Sequence, residues 1–311
     1  MFGWFRKSVS GALGLELSPF GIAVAHLSDE SHGNLVKADC QYFEGALESC
    51  HEDVEEWIDE RGLQGVDVQV VLHPALYTLY FVDRPDVEDE FLSEAARWKV
   101  KDLVEGPLSD FIIDAFAVPE DAYRGMQKKI YVVAVNRVVL EEHVQLIKQL
   151  PVEIKGVGIS ELADKAILNV LEGDSGGAAL LRLRSATGTI NLIDDGDLYL
   201  TRNIDSSVSA LESTTELNRS QVLDELLLEV QRCMDFYDGQ LGKGAIRKML
   251  VAPTRLESTF FDTHLRDHLG MSVHTLDLNE AFEFPEHISM ERQSVCFAAV
   301  AAATEQRGHL M

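Results

Sequence analysis

The chain has 311 residues, 46% of them hydrophobic, which is long and apolar enough for two domains with cores of their own. Its 52 acidic and 27 basic residues give a formal net charge of -25, which argues against a general nucleic-acid binder because phosphate backbones would be repelled. There is no apolar run of the roughly 20 residues that span a bilayer and no signal peptide, so we expect a cytoplasmic protein.

The N-terminal residues 1–12 form a predicted tail. Three aromatic residues, Phe2, Trp4 and Phe5, stand beside Arg6 and Lys7. This mixture fits either a frayed terminus or a segment that touches a membrane surface or a partner protein. The sequence leaves both interpretations open.

The first half of the chain begins with three predicted strands, a helix and a fourth strand. Alternating or continuous apolar residues predict the strands, and an acidic helix ends at Arg61 and Gly62. The predicted strands are 13–17, 21–27, 35–43 and 66–72, and the helix is 52–60.

The second half repeats this order. A three-stranded meander is followed by a long amphipathic helix, and further strands and helices alternate after it. The strands are predicted at 178–183, 188–193, 197–202, 246–251 and 271–276, and the helices at 216–239, 256–269 and 293–305. The small residues 298–303 in the last helix would allow it to approach a sheet closely.

An additional α/β segment interrupts the first half. Strands are predicted at 76–82, 111–118 and 129–135, with helices at 86–104 and 138–150. Trp98 in the first of these helices either lines a groove or packs in a core, and core packing is the preferred expectation. A strand at 152–157 and a helix at 159–171 then complete the half.

This repeat predicts an α/β, actin-like (ribonuclease H-like) two-domain fold, with a small α/β insert subdomain in the first domain. The predicted boundaries are domain I at 13–172 with the insert at about 76–150, a linker at 173–177, domain II at 178–305 and a C-terminal tail at 306–311. The linker is rich in glycine and forms turns.

The sequence argues against several kinds of chemical site. The four cysteines are scattered and are predicted to be reduced core thiols. His264 and His268 lie four residues apart on a predicted helix, which can suit zinc, but a solvated helix face is the preferred interpretation and no metal site is predicted. The phosphate-binding loop of P-loop motors is absent from the sequence.

Over nearly its whole length the sequence resembles the PilM family of type IV pilus assembly proteins, and within it the MshI branch of mannose-sensitive haemagglutinin (MSHA) pilus biogenesis. The segments that carry the resemblance are 14–24, 98–107, 113–116, 158–163 and 229–237. Each is moderately specific, and their order and spacing are the stronger argument. The resemblance implies an actin-like ATPase fold.

The expected nucleotide cleft departs from that of actin-like ATPases, which place an aspartate and a glycine on each phosphate hairpin. This chain has Glu16 and Ser18 at the first hairpin. At the second it has Arg182 and Arg184, which either grip a phosphate directly or pair with carboxylates.

The expected adenosine loop carries Pro253 and Thr254 in place of paired glycines, and proline removes a backbone donor. These six residues are therefore the candidate residues of a degenerate nucleotide cleft. We predict no catalytic residues and no required cofactor, although ATP could still bind.

By resemblance, we expect a non-catalytic scaffold on the cytoplasmic side of the inner membrane. Its partner would be the cytoplasmic tail of a PilN-like membrane protein, held in a groove that involves the insert, and pilus motor ATPases are further candidates. The alternatives are an active ATPase or phosphotransferase of the same fold, and a cytoplasmic platform component of type II secretion.

Overall fold

A computed structural model describes residues 11–32, 35–122, 127–172, 177–212, 216–241, 244–256 and 258–308. Residues 1–10 of the predicted N-terminal tail lie outside the described residues. So do residues 173–176 of the predicted linker and residues 309–311 of the predicted C-terminal tail.

The chain alternates strands and helices in both halves. The first half contains β1 (Gly11–Leu17), β2 (Gly21–His32), β3 (Leu35–Glu44), α1 (Leu47–Glu60), β4 (Asp67–Leu72), β5 (Tyr77–Asp83), α2 (Leu92–Lys99), β6 (Phe111–Ala117), β7 (Lys129–Asn136), α3 (Arg137–Ile147), β8 (Glu153–Ile159) and α4 (Ser160–Glu172). The second half contains β9 (Ala178–Leu183), β10 (Gly188–Asp194), β11 (Asp197–Ile204), α5 (Val208–Glu212), α6 (Glu216–Leu241), β12 (Lys248–Val251), α7 (Ser258–Leu269), β13 (Ser272–Thr275), α8 (Leu278–Ala281), β14 (Phe282–Glu283) and α9 (Met290–Gly308).

Apart from the two-residue edge strand β14, two large sheets share one strand order and the same strand directions. The first sheet runs β14-β3-β2-β1-β4-β8, and the second runs β11-β10-β9-β12-β13. In each, three antiparallel strands are extended by two parallel ones. The duplication predicted from the sequence is confirmed.

The insert forms a separate antiparallel sheet in the order β5-β7-β6. Helix α2 covers one face through Leu92, Ala96 and Val100, which pack with the buried Ile113 and Ile130. These helix residues recur every four positions and define a single buried stripe.

Trp98 points away from that stripe and is 70% exposed, so the expectation that it packs in a core is wrong. It falls two residues beyond Ala96, which turns it to the other side of the helix.

Helix α9 packs on β1, β2 and β4 of the first sheet, although it belongs to the second half of the chain. Its residues from Cys296 to Ala303 are fully buried. At Gly14 of β1, a Cβ atom would lie 2.0 Å from the carbonyl oxygen of Ala299. The small residues therefore bring helix and sheet together as predicted, and the approach requires glycine at position 14.

Candidate functional site

A buried polar cluster lies between the two sheets. Glu16 is the second-last residue of β1, and Arg182 is the second-last residue of β9. Because β1 and β9 hold matching places in the duplicated sheets, the two side chains meet from equivalent positions. Their Oε1 and Nη2 atoms are 3.7 Å apart, and both side chains are buried.

Arg182 has a closer partner in Asp164, on α4. Its Nη1 donates a hydrogen bond of 2.8 Å to Oδ1 of Asp164, which is fully buried. Asn191 of β10 donates to the other oxygen of Asp164 at 3.1 Å. The guanidinium carbon of Arg182 lies 5.1 Å from the ring centre of Phe297, so an aromatic face covers the cation.

The protonation behaviour of the cluster reflects these contacts. Burial raises the pKa of Glu16, and the nearby Arg182 only partly offsets this effect. Although burial acts to lower it, the pKa of Arg182 is raised by the carboxylates of Asp164 and Glu16. The short hydrogen bond goes to Asp164, while Oε1 of Glu16 is buried and has no hydrogen-bond partner among the described residues. We therefore regard Asp164 as the principal counter-ion of Arg182.

Arg184 occupies the same cluster with fewer contacts. Its Nη1 donates to Oγ1 of Thr189 at 3.1 Å, while its Nε and Nη2 atoms are buried and find no hydrogen-bond partner in the part of the chain that the structure describes. Burial and the neighbouring Arg182 lower the pKa of Arg184. Its incomplete hydrogen bonding makes it the arginine best able to bind an added anion.

A third buried carboxyl belongs to Glu161, one turn before Asp164 on α4. The hydroxyl of Tyr77 donates to its Oε2 at 2.5 Å. Burial raises the pKa of Glu161, and burial together with the charge of Glu161 raises the pKa of Tyr77. Tyr77 opens β5, so this contact ties the insert sheet to α4.

His73 lies near the cluster, in the loop after β4. Its Nδ1 accepts a hydrogen bond from the backbone N–H of Ala75, and its ring meets that of Phe20 edge-on at 5.8 Å. Burial, with further contributions from Arg184 and Arg182, lowers the pKa of His73 to about 3.

The other candidate residues are satisfied locally. Ser18 donates to the carbonyl of Gly21 and accepts from the N–H groups of Phe20 and Gly21, so its hydroxyl belongs to its own turn. Thr254 is buried and accepts from the N–H of Leu256. Pro253 is buried beside it. Among the described residues, no hydrogen bond or ion pair joins these three side chains to Glu16 or Arg182.

The donor set does not fit a magnesium ion. Mg²⁺ takes oxygen ligands in near-octahedral geometry and usually retains several waters. In this cluster the carboxylates of Glu16 and Asp164 face Arg182, and Arg184 adds a second positive charge. A metal ion would have to displace Arg182, whose charge is already neutralised by these two carboxylates.

Sequence reasoning missed Asp164 and Glu161. A signal was present, since Asp164 falls at helical spacing with the buried Ser160, Ile167 and Leu168. An acid on the buried stripe of a helix predicts a buried counter-ion.

An apolar groove, here called the insert groove, separates the insert from the first sheet. Its cavity volume is about 270 Å³, and its lining includes Ile112 and Phe116 of β6, Val157 of β8 and Leu162 of α4. Strand β6 is the last strand of the insert sheet, and β8 is the last strand of the first sheet. The groove is therefore bordered by two strand edges that no other described strand pairs with.

Two further findings concern the described residues only. They include no helix that is long and apolar enough to cross a membrane. They also contain no group of three or more histidine, cysteine, aspartate or glutamate side chains placed to hold a metal ion. All four cysteines are buried as free thiols.

The sequence matches no protein-family model and no curated protein. The structure is similar to a chain of the PilM-PilN type IV pilus biogenesis complex, with a TM-score of 0.71 and 16% identity over 96% of this chain and 98% of that one. A Bacteroides thetaiotaomicron protein with an actin-like ATPase fold gives a TM-score of 0.51 and 11% identity over 91% and 96%.

The cytoplasmic domain of EpsL, an inner-membrane component of the Vibrio cholerae type II secretion system, gives a TM-score of 0.49 and 15% identity over 93% of this chain and 94% of that chain. At these identities a similarity establishes the fold alone. The predicted actin-like fold is confirmed.

Proposed function

We propose that this protein is a non-catalytic scaffold of an MSHA-type, type IV pilus assembly platform at the cytoplasmic face of the inner membrane. Its partner is the cytoplasmic tail of a PilN-like membrane protein. The proposal is supported by the resemblance of the sequence to PilM and MshI proteins and by the structural similarity to a chain of the PilM-PilN complex. The observation that carries it is the insert groove.

The insert groove has the features that an extended peptide needs. The free edges of β6 and β8 offer backbone N–H and C=O groups, to which a further strand can add. Apolar side chains between them provide pockets for alternate residues of the peptide. Val157 of β8 is 40% exposed, so its apolar side chain is accessible to a peptide in the groove.

Charge supports a basic tail as the occupant. The net charge of the chain is -25, and Asp114 lies in the lining of the groove. Membrane-proximal cytoplasmic segments carry an excess of lysine and arginine. Such a tail is therefore attracted toward this surface before any specific contact forms. Pilus motor ATPases are proposed as further partners from the sequence resemblance alone.

The buried cluster supports the absence of turnover. Magnesium-dependent phosphoryl transfer needs the metal to bridge phosphate oxygens and neutralise the developing charge. Arg182 already neutralises the carboxylates that would hold the metal. We therefore propose that the cleft serves to join the two halves of the protein, and that hydrolysis of ATP is lost.

The test is titration of the full-length protein with a synthetic peptide of the PilN-like tail from the same pilus system. Val157→Asp places a charge in the insert groove and should weaken binding at least about tenfold, because an apolar contact is replaced by a buried charge. Val170→Asp is the matched control, since Val170 is 54% exposed on α4 and does not line the groove. Absence of binding to the unaltered protein, or equal effects of the two variants, would overturn the proposal.

One observation favours a second candidate, binding of a nucleotide without hydrolysis. The Nε and Nη2 atoms of Arg184 are buried and lack hydrogen-bond partners within the described residues, and a phosphate would satisfy both. Calorimetric titration with Mg·ATP separates the candidates. Micromolar binding that persists without Mg²⁺ would support this second candidate, micromolar binding that Glu16→Ala abolishes would favour a magnesium-dependent ATPase, and no heat of binding would favour the scaffold alone.

A further inference from the structure

A second groove lies on the outer side of the first half, between α1 and α3. Its cavity volume is about 420 Å³, and its lining includes Glu48, Val138, Glu141, Glu142 and Leu146. We call it the acidic groove. The two helices are joined by a 3.2 Å contact between Nε2 of His51 and the carbonyl of Leu146, so its walls are fixed relative to each other.

The charge on these two helices is almost entirely negative. Helix α1 carries seven aspartate or glutamate residues and no lysine or arginine, and α3 adds two glutamates and one arginine. Among the described residues, these carboxylates form ion pairs only from Glu60 to Arg61 and from Glu141 to Arg137. Glu48 and Glu142, on opposite sides of the groove, have no ion-pair partner in that part of the chain.

The spacing of the carboxylates along α1 lowers the stability of the protein when no partner is bound. Residues Glu48, Glu52, Glu56 and Glu60 follow one another at intervals of four along α1, so like charges are neighbours on one face of the helix. Each such pair is destabilising by roughly 0.2–0.5 kcal/mol. A partner that brings positive charge to this face would relieve the repulsion.

The floor of the acidic groove is apolar. Val138 is 61% exposed, and Leu146, eight residues later on α3, is half-buried. The two lie on one side of α3, about 12 Å apart along its axis. That separation suits two apolar residues of an amphipathic helix spaced seven or eight positions apart, with flanking charges over the acidic rims.

Charge and composition narrow the possible occupants. Nucleic acid and anionic lipid surfaces would be repelled by the carboxylates. A second copy of this chain, at a net charge of -25, would bring further negative charge. The described residues contain no group of three side chains placed to bind a metal ion, which argues against a small cation.

We propose that the acidic groove binds a basic amphipathic helix of a partner protein. Apolar residues of that helix contact Val138 and Leu146, and its lysines or arginines pair with Glu48 and Glu142. The acidic groove is separate from the insert groove, so this proposal is independent of the proposed tail-binding function. Of the α3 residues, Leu140 lines the insert groove, whereas Val138 and Leu146 line the acidic groove from another side of the helix.

The probe is a labelled helical peptide of about 18 leucines and lysines, with leucine at every third or fourth position so that one face is apolar. A peptide of the same composition, shuffled to remove the apolar face, is its control. Binding to the full-length protein is measured by fluorescence anisotropy at about 150 mM salt, where exposed charges are screened beyond ~8 Å.

Three protein variants decide the result. Val138→Asp adds negative charge but removes the apolar contact. Binding in the acidic groove therefore predicts about tenfold weaker affinity for the peptide, whereas simple charge attraction predicts stronger affinity. Aspartate in the first turn of α3 is compatible with the helix dipole. Glu48→Lys with Glu142→Lys should weaken binding more than the matched pair Asp235→Lys with Asp238→Lys, exposed on α6.

The proposal is supported if the helical peptide binds at least about tenfold more tightly than the shuffled one. It also requires that Val138→Asp weakens binding and that the lysine pair at 48 and 142 weakens it more than the lysine pair at 235 and 238. Equal binding of the two peptides, equal effects of the two lysine pairs, or unchanged affinity in Val138→Asp would overturn it. Should circular dichroism show that Val138→Asp disturbs α3, Val138→Ser takes its place with the same criterion. Binding of the PilN-like tail is measured in the same variants, so failure of either proposal is recognised separately.

Discussion

Arg182 of β9 donates a 2.8 Å hydrogen bond to Asp164 of α4, and both side chains are almost completely buried. One residue comes from each half of the duplicated chain. A charged contact between the two halves thus lies at the centre of the buried cluster. Its cation also faces Glu16.

Replacing Arg182 should destabilise the protein strongly. Arg182→Met leaves the carboxylates of Asp164 and Glu16 buried without their cation, and we expect the free energy of unfolding to fall by about 3–5 kcal/mol in urea titrations. The matched control is Arg255→Met, because Arg255 pairs with Glu212 on the surface at 2.8 Å. Its loss should be within about 1 kcal/mol. Similar losses in the two variants would show that the buried contact does not hold the halves together.

Glu16 should make stability depend on pH. Its pKa in the folded state is raised from 4.5 by burial, so its stabilising contribution is complete below 4.5 and is lost as pH rises through the folded-state pKa. Glu16→Gln cannot ionise and should therefore gain stability relative to the unaltered protein as pH rises from 4.5. Denaturant titrations at a series of pH values measure the difference. A difference that moves in the opposite direction would mean that Arg182, and not burial, dominates the pKa of Glu16.

His73 should stay neutral well below the usual range for histidine. Its pKa is lowered from 6.5 to about 3, so the unfolded chain takes up the proton first. The stabilisation is complete above 6.5 and is lost as pH falls toward 3. Nitrogen-15 chemical shifts of the imidazole should remain those of the neutral ring at pH 5. In His73→Asn, where the amide oxygen can still accept from Ala75, this part of the pH dependence should disappear. An imidazolium signal at pH 5 would contradict the burial argument.

Gly14 should tolerate no side chain. A Cβ at this position would meet the backbone of Ala299 at 2.0 Å and that of Ala303 at 2.5 Å, so Gly14→Ala must push α9 from the sheet. We expect a loss of at least about 1–3 kcal/mol in the free energy of unfolding. Gly239→Ala, in α6 with open space around it, should instead stabilise by about 0.5–1 kcal/mol. A neutral Gly14→Ala would mean that helix and sheet separate easily.

Much of the fold follows from local sequence patterns. Apolar alternation places strands in both halves, and helical periodicity places α6, so the repeated order of elements can be recognised from the residues alone. The same reasoning predicted that small residues let the last helix approach a sheet. It did not identify that sheet, because β1 and α9 are almost 300 residues apart in the chain and their pairing depends on topology.

The candidate cleft could be predicted in part. The two half-chains place Glu16 and Arg182 at equivalent strand ends, and these side chains do come together. Pro253 and Thr254 do not join them through any hydrogen bond within the described residues, since each is accommodated in its own loop.

The sequence by itself determined the duplicated α/β pattern and the negative charge, because these follow from the residue types and their spacing along the chain. Only the tertiary structure decided that Arg182 has Asp164 as its counter-ion, that Trp98 faces solvent and that α9 lies on the first sheet. Each of these depends on which distant segments meet. Burial then sets the outcome, since a charge that is harmless in water must find a partner once the sheets enclose it.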